Sequence, residues 1–172
     1  MEFSLSEDQL AFVASARAFS EGALAPNAAR WDEESIFPKD VLQQAGELGF
    51  MGMYTPESAG GLGLGRLDAS LIVEELAKGC TATAAFLTIH NMATSMVGKY
   101  CTEAVIEQWC PALVMGSKLA SYCLTEPGAG SHIGALTAEA HAQPDGGWRL
   151  RGEKVWIGNV SWAGVLTVIA HD

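Results

Sequence analysis

Tyr122 to Ser131, reading YCLTEPGAGS, sets two glycines, a proline and the hydroxyls of Thr125 and Ser131 directly after an apolar extended run, Leu119 to Leu124. Glycine lets the main chain approach a ligand closely, and successive N–H groups without partners form a nest that attracts phosphate or the electron-rich edge of a ring. Pairing within a sheet uses up most of a strand's N–H groups, so free donors collect where the ladder ends. The segment is therefore a candidate anion and cofactor cradle. Its spacing equally describes a Pro-Gly turn closing a hairpin. Thr88, His90 and Asn91 are polar exceptions in an apolar stretch, and a histidine and an asparagine there satisfy each other or a nearby carbonyl. Trp156, taken alone, reads as a core tryptophan. Arg149, Arg151 and Lys154 form the basic cluster of the second half and read as a solvated strand face or an anion site.

The elements that must position these groups change character along the chain. Ser6 with Gln9 three residues on is a capping box, and Phe12, Val13, Ala16 and Phe19 follow at one-face helical spacing, so a helix is expected from about Glu7 to Glu21. Pro26 opens a short second helix ending near Trp31. Pro38 suits the first position of a third helix, with Val41, Leu42, Ala45 and Leu48 buried and Gly49 closing it. Gly60 to Gly65, GGLGLG, has its third glycine at the wrong offset for a dinucleotide loop and reads as a flexible connection. Arg66 to Lys78 is helical with Leu67, Leu71, Leu76 and Ala77 inward. Thr81 to Tyr100 is apolar on nearly every side, the mark of a helix at the centre of a bundle. After Ser117 the pattern turns to short β-type runs: Leu119 to Leu124, Leu136 to Ala142, Trp148 to Arg151, Lys154 to Ile157 and Val165 to Ala170, with Pro144 to Gly147 as a hairpin turn. Helices followed by strands give an α+β chain, helical over 1–117 and strand-rich over 118–172.

Composition narrows the function. Twenty acidic against ten basic residues give a net charge of -10, which repels nucleic acid and acidic lipid. Cys80, Cys101, Cys110 and Cys123 are too widely spaced for a zinc or redox motif, so no metal is expected and the thiols read as reduced. MEFSLSEDQLAF has neither a basic n-region nor an arginine-rich leader, and no apolar run reaches membrane-spanning length; a bacterial-type cytoplasmic location is expected. Glu74, Glu75 and Glu153 read as solvated carboxylates.

The signature YCLTEPGAGS resembles the flavin-binding motif of the acyl-CoA dehydrogenase family. The helical first half, the GG-x-G-x-G segment, the signature and the Lys154-Val155-Trp156-Ile157 run follow in the family's order. The resemblance implies an N-terminal helical bundle followed by part of an antiparallel, barrel-like β-domain, with FAD as cofactor. Tyr122, Leu124 and Thr125 would lie along the flavin, with Thr125 bonding its pyrimidine edge. Gly130 and Ser131 would reach the pyrophosphate, and Ser131 would also touch coenzyme A. Trp156 would pack near the dimethylbenzene side, followed by Gly158, and Thr88, His90 and Asn91 would face the acyl cleft, with His90 as a substrate contact. Ile89 to Met92 and Ala120 to Tyr122 resemble the branch acting on isobutyryl-CoA and short branched acyl groups. Two residues depart from the family: His132 stands where an aspartate is usual, and Gly158 where a threonine or serine is usual. The implied partners are an acyl-CoA substrate, an electron-transfer flavoprotein and further copies of the chain. In the family the catalytic glutamate sits in a later helical domain, so Glu126 is not assigned as the base and this chain alone is not expected to catalyse. A related acyl-CoA oxidase or flavin monooxygenase, or a flavin-binding subunit of a split enzyme, are the alternatives the resemblance leaves.

Overall fold

The structure, a computed structural model, describes residues 4–172; Met1 to Phe3, the start of the segment read as leader-free, lie outside the described residues. Two compact units result, one ending at Lys118 and the other Leu119–Asp172. The α+β reading holds.

The helical unit contains α1 (Glu7–Phe19), α2 (Ala28–Glu33), α3 (Lys39–Glu47), α4 (Arg66–Gly79), α5 (Thr81–Tyr100) and α6 (Glu103–Val114). The capping box forms as read: Gln9 N–H donates to Ser6 Oγ at 3.2 Å, and Ser6 N–H to Gln9 Oε1 at 3.0 Å. α1 does not simply end near Glu21 but widens into a π turn, Ser20–Leu24. The end of α4 packs on that turn so closely that a Cβ at Gly79 would collide with the Ser20 hydroxyl. α1 and α4 are also joined by charge. Arg17 grips Glu75 through Nε and Nη2, each at 3.1 Å, and Lys78 Nζ adds a contact at 2.8 Å. Glu75 is thus buried rather than solvated, and the pairing phases α4 so that Ala69, Ile72 and Leu76 face inward while Leu67 is exposed. In α3 the buried stripe is Val41, Leu42, Ala45 and Gly46. Leu48 turns outward, because the Met115 carbonyl packs against Gly46 and Gly49 leaves the helix at φ 82°.

α5 is central, as its composition implied, and its buried polar groups hold irregular backbone. Asn91 accepts from Met53 N–H at 2.6 Å and donates to the carbonyls of Phe50 at 2.7 Å and Leu87 at 2.9 Å. Phe50, Met51 and Met53 are core residues in a segment without regular structure, so their backbone groups need such a partner. The GGLGLG segment is not a flexible connection. Leu62, Gly63 and Leu64 N–H donate to the carbonyls of Gly52, Thr55 and Met53, at 2.9, 2.9 and 2.8 Å. Gly61 lies so near the Thr55 carbonyl that any Cβ would collide with it, and Gly60 and Gly63 turn to φ 83° and 59°, conformations that favour glycine.

The second unit has two small sheets. β1 (Ala120–Cys123) pairs with β4 (Val165–Val168), and β2 (Glu139–Ala142) with β3 (Trp148–Arg151). The hairpin turn forms where read, with Gly146 at φ 83° and Gln143 N–H bonding Gly147 at 2.8 Å. Two expectations need correction. β1 and β4 are parallel, which the long connection 124–164 permits, and neither sheet among the described residues closes into a barrel. Lys154 to Ile157 is not a strand: Val155 N–H bonds the Thr125 carbonyl at 2.9 Å, and the next residue, Trp156, turns to φ 59°, which ends any ladder. All four cysteines are free. Among the described residues no helix is long and apolar enough to cross a membrane.

Asn91→Ala strands a buried carbonyl and a buried N–H at once. It should lower stability by about 3 kcal/mol, read as a shift in the urea midpoint at constant slope. Thr88→Ala, which loses only a bond to the Ala85 carbonyl one turn back, should cost under about 1 kcal/mol.

Candidate functional site

The signature loop leaves β1 at Cys123 and turns tightly at Pro127-Gly128. Glu126 N–H bonds the Ala129 carbonyl at 2.8 Å, and Ala129 N–H returns to Glu126 at 3.1 Å. The turn closes on itself without starting a hairpin strand; a single turn of 3-10 helix, Ile133–Ala135, follows. Among the described residues the N–H groups of Gly128, Gly130, Ser131 and His132 and the hydroxyls of Thr125 and Ser131 make no hydrogen bond. A Cβ built on Gly128 meets nothing within 4 Å, and one on Gly130 only the Thr125 methyl at 3.9 Å. The loop is therefore open on its glycine side and lined with unused donors, which is what a cradle for an anionic or ring-edge ligand requires.

Glu126 fixes the loop. Its carboxylate accepts from Thr137 N–H at 2.7 Å, Thr137 Oγ1 at 2.8 Å, Ala138 N–H at 2.9 Å and Lys154 Nζ at 2.7 Å. Lys154 also donates to the Leu124 carbonyl at 2.9 Å. The two side chains are 3% and 12% exposed, so Lys154 is an internal strut and not part of a solvated strand face; Arg149 and Arg151 do lie exposed on β3. The Lys154 hydrogen bond and three further donors outweigh desolvation and hold the Glu126 carboxyl down at about 2. A carboxylate so stabilised is a poor general base, in keeping with its exclusion from that role.

Beyond the Lys154 strut, the second segment, 154–159, is tied alongside at two further points. Val155 N–H bonds the Thr125 carbonyl at 2.9 Å, and the fully buried Ser121 donates its hydroxyl to the Gly158 carbonyl at 2.7 Å. Between these ties stands Trp156, 92% exposed and at φ 59°. It is not a core tryptophan. A left-handed backbone costs an ordinary residue roughly 1–2 kcal/mol, and an exposed indole gains nothing from burial. Such a residue persists where the surroundings dictate it, and these cases gather at binding sites. Asn159 shares the left-handed region at φ 61° and accepts from Trp162 and Ala163 N–H at 2.8 and 2.9 Å. Gly158 has open space around it, with nothing within 4 Å of a built Cβ, so no packing demand accounts for the missing side chain.

The strand-rich unit thus holds Tyr122, Leu124, Thr125, Gly130, Ser131, Trp156 and Gly158 on two segments joined by three ties. Tyr122 sits on β1 with Thr167 as its register partner. His90 has a different setting. It lies in the helical unit with no exposed surface, its Nε2 3.1 Å from the Leu113 carbonyl and 3.2 Å from Thr94 Oγ1, and burial pushes its imidazole down to about 4. The core reading of His90 describes this environment. Sequence reasoning missed three positioning groups, Ser121, Glu126 and Lys154. The signal for two of them was present: a glutamate inside an otherwise uncharged turn needs a cation, and Lys154 is the lysine of the second segment.

The chain matches the family model described as acyl-CoA dehydrogenase, N-terminal domain, over residues 6–117, and that described as acyl-CoA dehydrogenase, middle domain, over 121–172. It is 46% identical to a mitochondrial isobutyryl-CoA dehydrogenase of Dictyostelium discoideum over 89% of this chain and 36% of that protein. Among solved structures it is similar to a glutaryl-coenzyme A dehydrogenase in complex with glutaryl-CoA, with a TM-score of 0.91 and 34% identity, covering 99% of this chain and 45% of that one. It is also similar to a glutaryl-CoA dehydrogenase from Mycobacterium smegmatis in complex with FADH2, with a TM-score of 0.89 and 29% identity, covering 96% of this chain and 43% of that one. The chain therefore spans less than half the length of these proteins.

Glu126 gives the site a pH window. Its folded value of about 2 lies below the ordinary 4.5, so the ordering it supplies is complete above 4.5 and is lost as pH falls towards 2. Amide protection at Thr137 and Ala138 should be flat from pH 7 to 5 and should fall in more acid solution. In Glu126→Gln it should already be low at neutral pH and insensitive to acid.

Proposed function

The chain belongs to the acyl-CoA dehydrogenase family, and we propose that Leu119–Asp172 forms one side of an FAD site in an enzyme that dehydrogenates a short, branched acyl-CoA. The observation that carries this reading is Trp156, held outward in a left-handed conformation beside a glycine loop with unused donors. The FADH2-bound neighbour supports the cofactor, and the isobutyryl-CoA dehydrogenase supports the acyl class. Because the chain spans 36% of that relative's length, dehydrogenation is proposed for the whole protein and flavin contact for this stretch.

When bound, FAD supplies the acceptor for a hydride from the acyl β carbon. The chain's own residues bind and orient it. The Thr125 hydroxyl and neighbouring N–H groups hold the pyrimidine edge, with Tyr122 and Leu124 along the ring. The free N–H groups at Gly130 and Ser131 receive the pyrophosphate, and Ser131 also meets coenzyme A. The Trp156 indole covers the dimethylbenzene side, and Gly158 leaves its flank uncovered. Removal of the α proton needs a carboxylate nearer neutrality than Glu126 or Glu75, each held at about 2 by cations and donors. An acyl-CoA substrate, an electron-transfer flavoprotein as acceptor and a homo-oligomer as the working state complete the reading.

Incubation with FAD followed by removal of free cofactor should leave a bound flavin band of perturbed shape. Loss of one aromatic contact is worth about 0.5–1.5 kcal/mol, so Trp156→Ala should weaken FAD binding roughly 2- to 12-fold while Trp156→Phe retains most of the affinity. An unchanged dissociation constant in Trp156→Ala would remove the tryptophan from the site.

A further inference from the structure

We propose that Ser121 is a positioning residue whose hydroxyl clamps the Trp156 loop and so fixes the indole in its outward setting, an inference that rests on Trp156 lining the flavin site. Ser121 is fully buried in β1, next to Tyr122, and its Oγ donates to the Gly158 carbonyl at 2.7 Å. The bond is placed where it matters. Gly158 lies between Trp156 at φ 59° and Asn159 at φ 61°, two residues whose backbone would relax towards common conformations if the carbonyl between them were released. Val155 holds the other side of the tryptophan through the Thr125 carbonyl at 2.9 Å, so the indole hangs between one main-chain tie and one side-chain tie. Only the second can be removed by substitution without touching the signature loop. Gly158 is exposed and has no neighbour within 4 Å of a built Cβ, so packing does not restrain it and its freed carbonyl would be taken up by water.

Ser121 also alternates with Tyr122 on β1, so the strand that presents one ring contact carries on its other face the hydroxyl that sets the second. The same residue thereby couples the two segments of the site. It need not touch a ligand, and its effect runs through Trp156.

The test uses the full chain and the variants Ser121→Ala, Ser121→Cys, Trp156→Ala and the double variant Ser121→Ala/Trp156→Ala. Hydrogen exchange is measured without cofactor, and FAD affinity by equilibrium binding. In Ser121→Ala the amides of Trp162 and Ala163, which donate to the Asn159 carbonyl next to the released Gly158, should exchange at least about tenfold faster, while Thr137 and Ala138, held by Glu126, stay protected. Ser121→Cys keeps the volume with a weaker donor and should fall between. FAD affinity should drop about 3- to 10-fold in Ser121→Ala and show no further drop when that change is added to Trp156→Ala. Unchanged exchange in the loop, or affinity losses that simply add in the double variant, would overturn the proposal. Failure of the unsubstituted chain to hold FAD would sink the flavin reading instead, and the exchange measurement would still decide whether Ser121 holds the loop.

Discussion

A carboxylate almost without access to water holds the strand-rich unit in its working shape. Glu126 arises in a tight turn, yet its four hydrogen bonds reach the start of β2 and the base of the Trp156 loop. Burying that charge is tolerable only because a lysine and three donors replace the lost water. The exchange has a geometric consequence. Lys154 can reach the carboxylate and the Leu124 carbonyl together in only one register of the two segments, so the ion pair sets where Thr125 and Trp156 stand relative to each other. An apolar pair in the same place would fill the volume but would not choose the register.

Asn91 plays a corresponding part in the helical unit. It too is a buried polar side chain that satisfies backbone without regular structure, here the carbonyl of Phe50 and the N–H of Met53. Both units thus spend a polar residue to keep a loop ordered. In the helical unit that loop is further braced by Leu62 to Leu64, with Gly61 packed too closely on the Thr55 carbonyl for a side chain and Gly60 and Gly63 in left-handed conformations. What looked like a flexible glycine linker is a tight backbone lattice.

The sequence exposed the helices and the signature loop well, for reasons that are local. The Ser6–Gln9 box, the apolar α5 and the Pro144 to Gly147 turn are each written within a few residues. It exposed poorly whatever depends on a distant partner. Leu67 and Leu71 fit the inward stripe of α4 by spacing, but the Arg17–Glu75 pair rotates the helix to present Ala69 and Ile72. Lys154 to Ile157 has strand-like composition, yet the pull of Thr125 at one end and Ser121 at the other bends it at Trp156. His90 and Asn91 could be recognised as needing partners, but only the fold says that those partners lie inside the bundle, at Leu113 and Thr94 for one and at Phe50, Leu87 and Met53 for the other.

The two buried carboxylates also bear on where the chemistry resides. A group that takes a proton near neutral pH needs an environment that destabilises its charged form, by burial without a cation or by a neighbouring like charge. Glu75 and Glu126 have the opposite: Glu75 is met by two cations, Arg17 and Lys78, and Glu126 by Lys154 and three further donors, which stabilise the anion beyond what water would. Their burial is structural, and the same hydrogen bonds that make them good anchors disqualify them as bases. Unsatisfied groups of the strand-rich unit are of another kind, among them the N–H groups and hydroxyls of the glycine loop, beside an indole in a strained setting. Such groups can bind and orient a ligand but move no proton, and under the function proposed above they would hold the cofactor.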